Sequence, residues 1–247
     1  MNGGLGPAND SYNQRLNPPM VRDGIFYGLA LLLAAAAVAY FANPWFASAP
    51  ALLALFFFWF FRDPQRTIPV EEGAVVSPAD GKITSIANFE TVEGPRTRIS
   101  IFLSVFDVHV NRAPVSGVVR NIEYKTGRFC NAMDPACVDQ NEQNVVTIEG
   151  DGYRVVMKQI AGLLARRIVF HKKLGDSITR GERVGLIKFG SRTDLVLPAE
   201  VQLTVKNGDR VKGGASLIGR LPVADKHLSL AGAGQTSTQK SSLGGLP

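Results

Sequence analysis

Two apolar runs placed back to back constrain this chain more than any other feature. Ile25 to Ala42 is almost wholly apolar, Asn43-Pro44 interrupts it, and Trp45 to Phe61 is apolar again. The segments LLLAAAAVAY and LLALFFFWFF offer no polar face to water, so neither suits an amphipathic surface helix, and a buried soluble hairpin is the bland alternative. Each run would make a helix roughly 26 Å long at 1.5 Å per residue. That is just short of the ~30 Å hydrocarbon core of a bilayer. Residues 23–61 are therefore expected to form a membrane-associating hairpin, which either spans tightly or dips into one leaflet. A cleaved signal peptide competes for the first run, but a second apolar run follows at once and no small-x-small cleavage site precedes a mature domain. Arg15 and Arg22 lie before the pair and Arg62 and Arg66 after it. The positive-inside rule puts both flanks in the cytoplasm, so the remaining chain is expected at the cytoplasmic face of the inner (cell) membrane.

Beyond Arg62 the composition changes. FRDPQRTIP reads as a Pro-punctuated linker, and short β-prone runs then alternate with turn signals: GAVVSPADGKITSI, RTRISIFLSV, GVVRNIEY, NVVTIEG, YRVVMKQIAG, RRIVFHKK, RVGLIKFG, TDLVLP and EVQLTV. Such spacing, with few helical stretches, predicts a mainly β domain over residues 62–223, a sandwich or barrel-sandwich hybrid. An internal echo is present. Gly175-Asp176-Ser177-Ile178-Thr179-Arg180-Gly181 and Gly208-Asp209-Arg210-Val211-Lys212-Gly213-Gly214 share the pattern G-D-x-(I/V)-x-x-G. Two copies are too few for a solenoid, and the turns resemble those of lipoyl- and biotinyl-type carrier domains. Residues 1–22 are polar and rich in Asn, Pro and Gly, and residues 224–247 are rich in Gly, Ser, Thr, Gln and Lys. These read as a flexible N-terminus and a disordered tail.

A chain of 247 residues with a formal charge of +6 favours an anionic partner: acidic lipid, nucleic acid or a phosphorylated substrate. Cys130 and Cys137 fit no metal-ligand spacing and no dense disulfide framework, so a reducing compartment is the default. His109, His171 and His227 lie far apart in sequence, and no metal site is expected from them.

Three stretches carry chemistry. SPADGKI, Ser77 to Ile83, places Asp80 before Gly81 in a turn between strands, and a plain Asp-Gly hairpin turn would account for it. SVFDVHVNRAPVSG, Ser104 to Gly117, offers Asp107, His109, Asn111 and Arg112. Alternation sends Asp107, His109 and Asn111 to one face if the segment stays extended. His109 is the general-base candidate by type, because its ordinary pKa lies near working pH. In GLIKFGSRTDLVLP, residues 185–198, the pair Gly190-Ser191 interrupts what otherwise reads as one strand. A bulge or a close backbone approach explains such an interruption; so does a backbone that itself reacts.

FRDPQR, SPADGKI, DVHVNRAPVSG, DQNEQN, GLLARRIV and GERVGLIKFGSRTDLVLP occur in this order. The set closely resembles the short-form, pyruvoyl-dependent phosphatidylserine decarboxylase family, over Arg62 to Leu221. That family commonly carries an N-terminal membrane-associating segment. The resemblance implies that the proenzyme cleaves its own chain between Gly190 and Ser191, leaving residues 1–190 as a large chain and 191–247 as a small one. Ser191 becomes a covalent pyruvoyl group, which takes the substrate amine as a Schiff base and acts as electron sink when CO2 leaves. No metal and no pyridoxal phosphate is needed. His109 gains a role in decarboxylation, most simply as proton donor, and Asp80 a role in the self-cleavage relay. Longer members carry a second histidine three residues after the first; Arg112 stands there and cannot act as a base, so His109 is expected to serve both steps. Arg112, Arg166, Arg167 and Arg192 are candidates for holding the substrate carboxylate or phosphate. The implied partner is phospholipid in a membrane, not nucleic acid, and the sequence leaves a homo-oligomer open. Two other functions compete: a pyruvoyl decarboxylase of a soluble amino acid, which needs no anchor, and a non-catalytic membrane-tethered carrier. The carrier needs a modified lysine on a hairpin tip, and the one Met-Lys pair, Met157-Lys158, lies in a strand-like run.

Overall fold

The structure, a computed structural model, describes residues 20–134, 138–150, 152–163, 167–188 and 190–222. Most of the expected flexible N-terminus, the expected disordered tail, Cys137, Arg166 and His227 lie outside them. Helices α1 (Arg22–Phe41) and α2 (Pro44–Phe60) form the hairpin. The Asn-Pro break explains itself. The Asn43 side chain accepts the Trp45 N–H at 3.0 Å, capping α2, and Pro44 occupies the first helical position, where a missing N–H costs nothing. Gly24 and Gly28 of α1 are buried, and a Cβ at either would overlap Phe61 or Phe58. Small residues thus let the helices approach closely, as in membrane hairpins. Outward-facing side chains stay bare: Leu33, Phe41 and Trp45 are 73%, 83% and 84% exposed. By length and composition α1 suffices to cross a membrane, whereas α2 is shorter. At the base, Val21 N–H donates to the Phe61 carbonyl at 3.0 Å and Met20 bridges to Arg62. Both ends of the hairpin therefore leave on one side.

The rest is mainly β, as the turn spacing predicted. The large antiparallel sheet has the order β13-β2-β3-β11-β7-β6-β5-β9. Its members are β2 (Gly81–Thr91), β3 (Gly94–Leu103), β5 (Gly117–Lys125), β6 (Gln143–Gly150), β7 (Tyr153–Ala161), β9 (Ser177–Ile178), β11 (Ser191–Pro198) and β13 (Arg210–Val211). Among the described residues two three-stranded sheets accompany it. One joins β4 (Val110–Arg112), β10 (Arg183–Ile187) and β8 (Ile168–Phe170); the other joins β1 (Ala74–Val76), β14 (Leu217–Arg220) and β12 (Gln202–Leu203). Val75, Ile83, Ile99, Ile101, Met157 and Leu195 lie in the core between them.

The internal echo is structural. Asp176 accepts the Lys173 N–H and Asp209 the Lys206 N–H, at 2.8 and 2.9 Å. The strands that follow, β9 and β13, add to the glycine ends of β5 and β2, at Gly117 and Gly81. The two G-D turns thus close opposite edges of one sheet.

Two local expectations are corrected. Asp80 does not sit in a hairpin turn, since β1 pairs with β14 and β2 with β3 and β13. Nor is 185–198 one interrupted strand: β10 belongs to a small sheet and β11 to the large one. Gly190 marks the crossing, with φ +49° in the left-handed region that favours glycine.

Candidate active site

β11 is buried along all but its last residue and pairs with β3 on one side and β7 on the other. Ser191 opens this central strand. Its Oγ is fully buried and has no hydrogen-bond partner among the described residues. Burying a hydroxyl without a partner costs free energy, so the position is not one that packing alone would select. Immediately before it, the Gly190 N–H donates to His109 Nε2 at 3.2 Å. The Gly190 carbonyl lies against Gly162, where a Cβ would overlap its oxygen and come within 3.1 Å of its carbon.

His109 precedes β4 and is almost wholly buried. The Phe60 ring, at the end of α2, covers it with centroids 4.3 Å apart. Burial lowers the imidazole pKa to about 4; the carbonyl and charge of nearby Asp107 pull it back in part, and Arg62 pushes it down. The ring is therefore neutral at pH 7. Because Nε2 accepts a hydrogen bond, the proton belongs on Nδ1, which has no partner in hydrogen-bond geometry among the described residues.

On the same face of β11 as Ser191, Thr193 Oγ1 accepts from the Asn111 amide at 3.2 Å. Asn111 in turn accepts from Gln159, and Gln159 from Asn144, each at 2.9 Å. This row of buried amides ties β4, β6, β7 and β11 together beside the Gly190-Ser191 junction. Asp107 does not share the face of His109 and Asn111, as an extended segment would require. The chain turns at 104–107, and Asp107 Oδ2 accepts the Ser104 N–H and hydroxyl at 2.9 and 2.8 Å.

The other candidates have other partners. Asp80 pairs with Arg66 at 2.7 Å and accepts the Gly213 N–H at 2.8 Å. Burial raises its pKa, with Arg66 opposing. It bonds neither Ser191 Oγ nor His109 Nδ1. Arg112 is buried on Asp63 at 2.6 Å and on the Gly181 carbonyl at 3.0 Å, and Arg183 shares Asp63. Arg192 points to the face of β11 opposite Ser191, where it pairs with Asp194 at 2.6 Å and Ser100 at 2.7 Å. Buried guanidinium groups need such partners, so neither arginine is available in this arrangement to hold a substrate anion. Arg167 and His171 are exposed. Asp63 was missed because an acid between arginines in a linker reads as solvated. Gly162 was missed because a close approach leaves no sequence period. Among the described residues no group of three or more His, Cys, Asp and Glu could hold a metal.

Residues 53–219 match the family model described as phosphatidylserine decarboxylase. The chain belongs to the phosphatidylserine decarboxylase family. A phosphatidylserine decarboxylase proenzyme of Solibacter usitatus is 53% identical over 201 residues, covering 81% of this chain and 96% of that protein. The proenzyme of Symbiobacterium thermophilum is 47% identical over 209 residues, covering 83% and 97%. That of Erythrobacter litoralis is 40% identical over 236 residues, covering 89% and 93%. Family membership makes the chain a carboxy-lyase and sets the carrier alternative aside. In the structure Lys158 lies inside β7, opposite Asp194 of β11, and not on a hairpin tip.

Proposed function

We propose that this chain is a precursor that cleaves itself between Gly190 and Ser191, and that the product is a membrane-attached decarboxylase converting phosphatidylserine to phosphatidylethanolamine and CO2. The observation that carries this reading is the junction itself. A left-handed glycine is followed by a buried serine whose hydroxyl has no partner among the described residues, and a neutral histidine stands one residue away. An orphaned nucleophile at a strand junction fits the precursor of a pyruvoyl group, and the relatives' name, proenzyme, agrees with a processed chain.

The chemistry balances without an added reagent other than water. Ser191 Oγ attacks the Gly190 carbonyl carbon, the Gly190–Ser191 C–N bond breaks, and the hydroxyl proton passes through a base to the released amine. His109, neutral with Nε2 at the Gly190 N–H, is that base in our reading. Loss of the Ser191 α-proton then breaks the Cβ–Oγ bond, and Gly190 leaves as a carboxylate. Water converts the dehydroalanine left at 191 to a ketone, with loss of ammonia. The pyruvoyl ketone supplies the carbonyl that takes the substrate amine and draws off the electron pair freed with CO2. An anionic substrate beside His109 favours its charged form, which suits the later role of returning a proton to the α-carbon. Asp80, held by Arg66 and the Gly213 N–H, does not touch Ser191, so its part in the relay is indirect in our reading.

The small chain does not leave after cleavage. β11 keeps its ladders to β3 and β7, and β13 and β14 keep theirs to β2 and β1. The hairpin, whose two ends carry arginines, supports attachment at the cytoplasmic face of the inner membrane. The purified protein in detergent is expected to release CO2 from phosphatidylserine and none from free serine. Release from serine alone would favour the soluble amino acid instead.

Gly162→Ala tests the junction. Its Cβ would displace the Gly190 carbonyl, so the variant should accumulate as an uncut chain on a denaturing gel. Normal cleavage would remove Gly162 from the self-processing site.

A further inference from the structure

A histidine that acts as base is usually oriented by a third group, most often a carboxylate or carbonyl on its far nitrogen. Here the Asp107 carbonyl lies near the ring but makes no hydrogen bond of good geometry with it. His109 Nδ1 has no hydrogen-bond partner among the described residues. Asp107, the carboxylate nearest in sequence, is turned back onto Ser104 and toward Arg210. The hydrogen bond on Nε2 comes from Gly190, a residue of the peptide that must rearrange during cleavage. Packing must therefore do much of the fixing of the ring, and the hairpin supplies a ring contact for it. Phe60 is 1% exposed and lies 4.3 Å from the imidazole, tilted by 35°. Phe61, its neighbour, packs with Val21, Val108, Val110 and Leu186.

A second contact ties the hairpin to the strand that enters the junction. Lys188 Nζ pairs with Asp23 of α1 at 2.9 Å and sits 5.5 Å from the Tyr27 ring and 5.8 Å from the Phe61 ring. The base of the hairpin therefore touches both the histidine and the segment just before Gly190.

We propose that Phe60 is a positioning residue for His109, so that docking of the hairpin on the β domain is a condition of self-cleavage and not only a means of attachment. The inference rests on the assignment of His109 as base. Phe60 supplies the flat apolar wall that packs on the ring beside the junction and keeps water from it. The charged groups around the ring are Asp107 on its own loop, Arg62 after α2 and Lys188 at the seam, already paired with Asp23. None is altered by changing Phe60, so a change in the behaviour of the ring reports the wall.

The test is the rate of self-cleavage of the full chain in detergent micelles between pH 4 and 8, with vesicle flotation to follow attachment. Phe60→Ala keeps the rest of the hairpin and should still float. Its cleavage at pH 7 should slow on the order of 10- to 100-fold, the scale of a small misplacement of a reacting group. Its acid limb should also move up from about 4 toward the ordinary histidine value of about 6.5, because the ring is hydrated. Phe60→Tyr, which keeps the ring, should restore both. Phe60→Leu, which fills the volume without a flat face, serves if the alanine variant does not fold, and should be slow with a raised limb. A normal rate and limb in Phe60→Ala or Phe60→Leu would overturn the proposal. So would slowing with an unmoved limb, the mark of loosened packing alone. His109→Ala in parallel separates the two failures. If it cleaves normally, the base assignment falls and the Phe60 role with it; if it is blocked while Phe60→Ala is normal, only the Phe60 role falls.

Discussion

Ser191→Ala is expected to remain one chain of 26.6 kDa, folded and without decarboxylase activity. The change removes only an oxygen that has no partner among the described residues, from a position buried on a strand paired on both sides. Deleting an unsatisfied buried hydroxyl can be neutral or stabilising, so thermal unfolding should match or exceed that of an uncleaved reference. The loss of processing is complete because alanine has no nucleophile for the acyl shift, and the loss of activity follows because no ketone forms. Ser191→Cys keeps a nucleophile and could still cleave, slowly. Normal cleavage of the alanine variant on a denaturing gel would move the reaction to another bond.

His109→Ala is expected to slow processing by on the order of 10²–10⁴-fold, the usual contribution of a positioned acid or base. Whatever fraction is processed should release CO2 slowly as well. Two facts favour one histidine for both steps. Arg112 stands three residues on and is locked onto Asp63, and His171 is exposed. The pH profile carries the same information. A base must be unprotonated, so the rate falls as pH drops through the pKa of the ring in the folded chain. Burial lowers that pKa to about 4, so wild-type cleavage should persist well below 6.5 and fail near 4. Rapid and complete processing of His109→Ala across pH 6 to 9 would exclude His109 as the cleavage base.

The pair of apolar helices was legible because length, apolarity and the Asn-Pro break are all read along the chain. The β class was legible for a similar reason, since turn residues recur at strand spacing. The echo of G-D turns even marked the two edges of the large sheet, although it could not say which strands they close. What the sequence did not carry was which partner each polar group finds. Arg112 and Arg192 have the composition of anion-binding residues, yet burial required partners for them, and Asp63 and Asp194 were at hand. Asp107 would have shared a face with His109 had the segment stayed extended; a hydroxyl three residues earlier turned it away. Gly162 and Phe60 meet the site across long sequence separations. No local pattern records such a contact, and in FFFWFF nothing distinguishes Phe60 from its neighbours.

Intact-mass spectrometry of the purified protein is the most direct measurement. Two chains are expected, one ending at Gly190 and one beginning at residue 191. The smaller should be lighter by one ammonia than the peptide running from Ser191 to Pro247, and should resist chemical sequencing from its N-terminus. A single chain of full mass, or a small chain that begins with a free serine, would contradict self-processing to a pyruvoyl enzyme.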